Sequence, residues 1–189
     1  MTVKPVRRNK QVSLAPPETR LEDATLNSGY VALLEASHLL AVALETVQLG
    51  ATPKAPIFER AHFDGTPIGM LTERLNLRPF ERDALVLLAG VNLSSELANA
   101  LQKCGVDQLH FGLILALLSD DPELDQRRIA ADAPLRRLRL VQFADAGTGV
   151  QPINLRPINL DEWVFMALLG HVHLDEVLAR VAQPLTRPA

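Results

Sequence analysis

A mainly helical fold carrying one small β-hairpin is predicted by three features of this sequence. Apolar residues recur at helical spacing through most of the chain, in runs bounded by proline, glycine and capping residues. Near residue 138 the pattern changes to partial alternation among strand formers, followed by the turn-forming Asp145-Ala-Gly-Thr-Gly149. The proportions, 48% hydrophobic and 22% charged over 189 residues, suit a chain that buries one sizeable core.

Residues 1–26 read as a flexible basic lead-in, with Pro16 and Pro17 but without the apolar centre of a secretion signal. Asn27 or Ser28 then caps a helix over 27–50, with Leu33, Leu34, Ala41, Leu44 and Val47 among its apolar positions and Gly50 as its stop. Pro53, Pro56, Gly65, Pro67 and Gly69 make residues 51–69 an irregular connection, which lets that first helix lie separately against the domain over 70–182. Met70, Leu71 and Leu75 predict a short helix. In the next one Pro79 takes the first turn and Gly90 the position just past the end. Phe80, Ala84, Leu87 and Leu88 share its buried face, and Glu81, Arg82 and Asp83 fall mostly on the other.

Ser94 caps a further helix, with Leu97 and Leu101 inward and Gly105 at its end. Asp107 is the predicted cap of another, from about Gln108 to Leu118, whose run Leu113-Ile-Leu-Ala-Leu-Leu118 places it centrally. Residues 123–131 add a brief helical turn after Asp120-Asp121-Pro122. Leu138 to Phe143 is the first strand, and Gln151 to Ile158 returns as an edge strand interrupted by Pro152 and Pro157. Asp161 caps a helix holding Trp163, Phe165, Met166 and Leu169, and Leu174 to Val181 forms the last one. Residues 183–189 are a tail. Three helices followed by a two-stranded hairpin is the order of a winged-helix domain, here with flanking helices.

The formal net charge of −3 gives no general attraction for nucleic acid, so any basic surface is local. A lone Cys104 excludes an intramolecular disulfide and fits a reducing, cytoplasmic setting. No apolar run reaches the roughly 20 residues that cross a bilayer, so no membrane partner is expected. No Gly-x-x-x-x-Gly-Lys-Ser/Thr loop occurs, so these residues are not expected to bind or hydrolyse ATP. His171 and His173 stand two apart beside Asp175 and Glu176, but residues two apart on a helix do not face each other, and a solvated turn accounts for them. His38, His62 and His110 are single. Cys104 sits at a helix end without a nearby histidine, and Ser94-Ser95-Glu96 lacks the glycines of a nucleophile elbow, so packing and capping account for these. No catalytic, cofactor or metal residue is assigned.

Arg127, Arg128, Arg136, Arg137 and Arg139 form the one polar cluster that stands out, close to the hairpin. They would neutralise phosphates in a DNA-reading winged helix. Yet the third helix offers His110, Phe111, Gly112 and leucines where base-contacting side chains are wanted, which favours protein docking over nucleic acid, with an ordinary solvated or intramolecularly paired arginine surface as the further alternative.

Four blocks occur in order: Leu77-Arg-Pro-Phe-Glu-Arg-Asp-Ala-Leu-Val-Leu-Leu-Ala-Gly-Val-Asn-Leu93, Phe111-Gly-Leu-Ile-Leu-Ala-Leu-Leu118, Ala133-Pro-Leu-Arg-Arg-Leu-Arg-Leu140, and Leu160-Asp-Glu-Trp-Val-Phe-Met-Ala-Leu-Leu-Gly170 with His173-Leu-Asp-Glu176. Together they resemble the N-terminal winged-helix region of bacterial AAA+ ATPases of the Cdc48-like type, some encoded with phage-tail-like extracellular contractile injection systems. The resemblance covers roughly residues 28–182. Arg78 stands where relatives tend to have a capping serine, and Leu138 where many have tryptophan. It implies a parent protein whose ATPase core, expected to begin where this sequence ends, takes ATP and magnesium in a homo-hexameric ring. For this chain it implies a non-catalytic recognition and docking region, binding a protein substrate or a contractile-tail component, with the five arginines as candidate contacts. The alternatives are a DNA-binding winged helix and a structural region that steers ring assembly.

Overall fold

The computed structural model describes residues 17–48, 58, 63–144, 151–173, 175, 176 and 179. Helix α1 spans Pro17–Gln48, α2 Pro67–Leu75, α3 Pro79–Leu93, α4 Ser95–Lys103, α5 Phe111–Leu118, α6 Pro122–Asp125, α7 Pro134–Arg137 and α8 Glu162–Leu168. Strands β1, Val141–Phe143, and β2, Ile158–Leu160, form the hairpin between α7 and α8. They pair antiparallel with Val141 opposite Leu160, Gln142 opposite Asn159 and Phe143 opposite Ile158. Among the described residues no single helix is long and apolar enough to cross a membrane.

Helix α3 is the centre. Every residue from Phe80 to Gly90 is buried, with α1, α2, α4, α5 and β2 packed around it. Leu85, Val86, Leu87 and Ala89 are fully enclosed, and each large apolar side chain so buried contributes about 1.5–3 kcal/mol. Phe80 meets Phe111 at the start of α5 edge to face, ring centroids 6.0 Å apart. Pro79 opens the helix as the sequence predicts. The Glu81 carboxylate accepts a hydrogen bond from the Arg78 backbone N–H at 2.9 Å, which explains how an arginine can stand at the cap: the third helical residue supplies the oxygen instead.

Gly90 does not end α3. The helix continues to Leu93, and the chain bends by 101° at Ser94, whose Oγ accepts from Leu97 N–H and starts α4. Gly90 is instead a crossing point. A Cβ there would lie 2.5 Å from Ser37 Oγ of α1 and 3.0 Å from a methyl of Leu97. Ser37 has little freedom to retreat, because it is wholly buried and donates to Leu33 O at 2.6 Å.

The first helix also departs from expectation. It begins at Pro17, ten residues before the predicted Asn27 or Ser28 cap, because Pro17 supplies the fixed φ of a first helical residue. It packs against the domain. Ala32, Leu33, Ala36, Leu40, Ala41 and Leu44 enter the same core as α3. His38 Nδ1 lies within hydrogen-bond distance of Glu96 at 3.0 Å, and Lys103 lies 3.6 Å from Glu45, so an exposed hydrogen bond and an exposed ion pair join α1 to α4. The predicted stop at Gly50 falls outside the described residues, as does most of the connection over 51–69. Its last three residues belong to α2, which Thr66 caps by accepting from Gly69 N–H.

Three further elements differ from their predicted bounds. α5 starts at Phe111, not Gln108, and its cap is His110 Nδ1, which accepts from Leu113 N–H at 3.1 Å, not Asp107. Leu109 and His110 are extended instead: Ile158 N–H donates to Leu109 O at 2.9 Å, and His110 bridges to Pro157. The first strand is only Val141–Phe143, because Pro134 opens the one-turn α7 and Arg139 then takes a left-handed φ of 52°. The return strand is Ile158–Leu160, preceded by a 3₁₀ turn at Ile153–Leu155. The expected turn at Asp145–Gly149 lies outside the described residues. So does most of the last predicted helix, of which 175, 176 and 179 are described and helical.

Replacement of Gly90 by valine should lower the unfolding free energy by about 3 kcal/mol, since the new methyls meet a tethered serine across a close-packed crossing. Urea denaturation measures it. An unchanged midpoint would show that α1 does not approach α3 there.

Candidate docking surface

The sequence places five arginines near the hairpin, and the structure sorts them. Asp121 accepts from Leu124 N–H and starts α6, a 3₁₀ turn at Gln126–Ile129 follows, and α7 packs against that turn. Arg136 is structural. Its guanidinium donates to Ile129 O at 3.0 Å and lies 5.4 Å from the Phe143 ring centre, holding the 3₁₀ turn, α7 and β1 together. Arg128 is half-buried, with an Nε that has no hydrogen-bond partner. Arg127, Arg137 and Arg139 are exposed. These three are available for contact, and Arg136 positions the segment that carries them.

Sequence reasoning missed the apolar part of this surface. Leu124 of α6 is 46% exposed among the arginine-bearing turns. Helix α5 is not central as its leucine run predicts: only Phe111 and Ile114 are buried, while Leu113, Leu115, Leu117 and Leu118 are half-buried. The run itself was the signal, but eight apolar residues in a row carry no indication of which side faces the core. The segment that feeds the hairpin is α7, a single turn, so the fold presents no long helix there to lie in a DNA groove.

Other candidates resolve into local roles. Ser94 caps α4 and His110 caps α5. Cys104 closes α4, half-buried. His171 and His173 are exposed, and among the described residues no group of three or more His, Cys, Asp or Glu side chains could hold a metal ion. His62 lies outside the described residues.

The largest surprise is at the start of α3. Glu81, Arg82 and Asp83, expected on a solvated face, are at most 5% exposed. Arg82 Nε donates to Asp83 Oδ1 at 2.7 Å, Nη2 donates to the Phe58 carbonyl at 2.6 Å, and the guanidinium lies 5.1 Å from the Phe63 ring centre. Burial raises the Asp83 pKa from 3.8 to about 6, against the hydrogen bond and charge of Arg82, which pull it down. A carboxyl group poised near neutrality can mark a reaction site. Here the adjoining cleft, lined by Phe63, Gly65, Thr72, Glu73 and Arg82, measures only about 50 Å³. That is far below the several hundred Å³ of a small-molecule pocket, and it holds no nucleophile paired with a base. The group is a latch between α3 and the residues Phe58 and Phe63.

Comparison with known families gives one match: the model described as "winged helix domain, variant" covers residues 59–182. No curated protein and no solved structure matches the chain.

The latch makes a pH prediction. Because the folded pKa of Asp83 lies above its unfolded value, the folded state holds the proton more tightly. The stability this contributes is fully present below about pH 3.8 and is lost as pH rises through about 6. The difference is at most about 3 kcal/mol, from 1.36 kcal/mol per pKa unit. Subtracting the stability profile of Asp83→Asn from that of the unmodified chain between pH 4 and 7 should isolate this fall. A difference that stays flat would remove the assignment.

Proposed function

We propose that this chain, which belongs to the variant winged-helix domain family over residues 59–182, is a non-catalytic docking domain that captures a protein partner. The observation that carries the reading is the surface running from α6 to α7. It carries an exposed leucine, Leu124, together with exposed Arg127, Arg137 and Arg139. Arginine beside an exposed apolar side chain is the composition of protein contact sites, and it suits an acidic segment bearing an apolar residue. Arg136 supports the site without joining it, since its donors and ring face are already engaged.

The resemblance of the Pro79 helix, the α5 run and the α8 block to Cdc48-like AAA+ proteins extends the proposal. On that reading the domain delivers a substrate or a contractile-tail component to an ATPase core, hexameric in the parent protein. ATP and magnesium would be bound by that core, and no residue of this chain is assigned to them. Tethering a docking domain to a ring raises the local concentration of its cargo. The cytoplasm is the compartment proposed for it, in keeping with a single cysteine.

A second reading, duplex DNA binding, is favoured by the same three exposed arginines. Charge reversal at Arg127, Arg137 and Arg139 should weaken partner capture in a pull-down at least about tenfold while leaving the fold intact. Titration with duplex DNA should give only weak, non-specific association, on the order of 10⁻⁴ M at physiological salt. Tight binding whose logarithm falls steeply with the logarithm of salt would select the DNA reading, and unchanged capture by the reversed variant would remove the proposed surface.

A further inference from the structure

The family match covers residues 59–182, so α1 lies outside it, and one face of α1 packs on the domain. Ala32, Leu33, Ala36, Ser37, Leu40, Ala41 and Leu44 are turned into the core. The opposite face should be polar, yet Val31, Leu39 and Val42 are 42%, 41% and 45% exposed, with Leu34 half-buried beside them. The charged or ionisable residues interleaved with them over this stretch are Glu35 and His38, both exposed.

The arrangement is self-complementary. Over residues 31–42 the exposed or half-buried positions run Val31, Leu34, Glu35, His38, Leu39, Val42, and the order from the other end is the same except that Glu and His exchange. Numbers in each matched pair sum to 73: 31 with 42, 34 with 39, 35 with 38. Two such helices set antiparallel about a point between Ala36 and Ser37 place Val31 level with Val42 of the other copy, and each Glu35 level with the other's His38. A two-fold interface requires this relation, in which residue i meets j and j meets i. A partner of different sequence would impose no such symmetry. An anionic membrane would call for a basic polar face, which Glu35 and Glu45 do not provide.

We infer that the free face of α1 is a homodimer surface, on which a second copy of this chain packs its own α1 antiparallel, with Glu35 opposite His38. In this register residues 25–48 of the two helices overlap, about 36 Å at 1.5 Å per residue. One helix pair lies at the small end of specific interfaces, so the dimer is reversible and concentration-dependent. It leaves the α6–α7 surface of both copies to act together, and it stands or falls independently of what that surface binds.

Sedimentation equilibrium of the whole chain up to about 1 mM tests it. The unmodified protein should pass from monomer to dimer. Val31→Glu combined with Val42→Glu should raise the dissociation constant at least about 100-fold, because four carboxylates then meet at the seam, with helical circular dichroism retained. His38→Glu should weaken the dimer about tenfold, and adding Glu35→Lys to the same chain should restore it, since each lysine then stands level with a glutamate. The loss of the contact with Glu96 is common to both variants, so the recovery reports the register. A chain that stays monomeric, a dimer indifferent to the valine changes, or no recovery in the double variant would each overturn the assignment.

Discussion

A helix buried on every side has nowhere to send its charges, and that constraint on α3 shapes the rest of the molecule. Eleven consecutive residues, Phe80 to Gly90, are out of contact with solvent, and three of them are Glu81, Arg82 and Asp83. Each finds a specific partner, and of their side-chain atoms Glu81 Oε1 is left without a hydrogen bond. Glu81 lies at the helix N-terminus, where the backbone dipole favours an anion, and its carboxylate satisfies Arg78 N–H. Arg82 reaches Asp83, the Phe58 carbonyl and the face of Phe63. Such groups are costly to desolvate and far costlier to leave half-paired. They therefore fix where Phe58 and Phe63 must lie rather than adding much net stability.

With the centre occupied, everything else is arranged by closeness of approach to α3. Gly90 lets α1 and α4 come in together at Ser37 and Leu97, which turns a long N-terminal helix into part of the domain. Phe111 draws in the first turn of α5, and the remainder of that helix stays at the edge with its leucines half-covered. The hairpin is three residue pairs long and is held from outside its strands: Arg136 stacks on Phe143, Asp161 N–H donates to Leu140 O, and Gln142 donates to the Asp161 carboxylate. Surfaces left over at the periphery, the α6–α7 turns and the outer face of α1, are where contact with other molecules is available.

What could be read from the sequence was local. Pro79 at the start of α3, Ser94 before α4 and Asp161 before α8 act within one turn of their own position, and their neighbours in sequence are their partners in space. What could not be read depended on remote partners. Glu81, Arg82 and Asp83 look like a solvated face until Phe58 and Phe63 are folded over them. Gly90 matches the local pattern of a helix end, but its lack of a side chain is needed by Ser37 on another helix. The run in α5 identifies a buried element without saying that α3, α6 and the 3₁₀ turn at Ile153–Leu155 leave its leucines only half-covered. Among the arginines, clustering was visible in the sequence, whereas the division between Arg136, already engaged, and Arg127, Arg137 and Arg139, still exposed, follows from a carbonyl at Ile129 and a ring at Phe143.

Native-state hydrogen exchange tests the central claim most directly, because it reports the opening free energy of each backbone amide. If α3 is the pillar and α1 is seated on it, amides from Ala84 to Gly90 and from Ala36 to Leu44 should exchange only through global unfolding, with the same free energy and the same dependence on denaturant. Amides of α1 that exchange through a separate, low-energy opening while α3 stays protected would contradict the account.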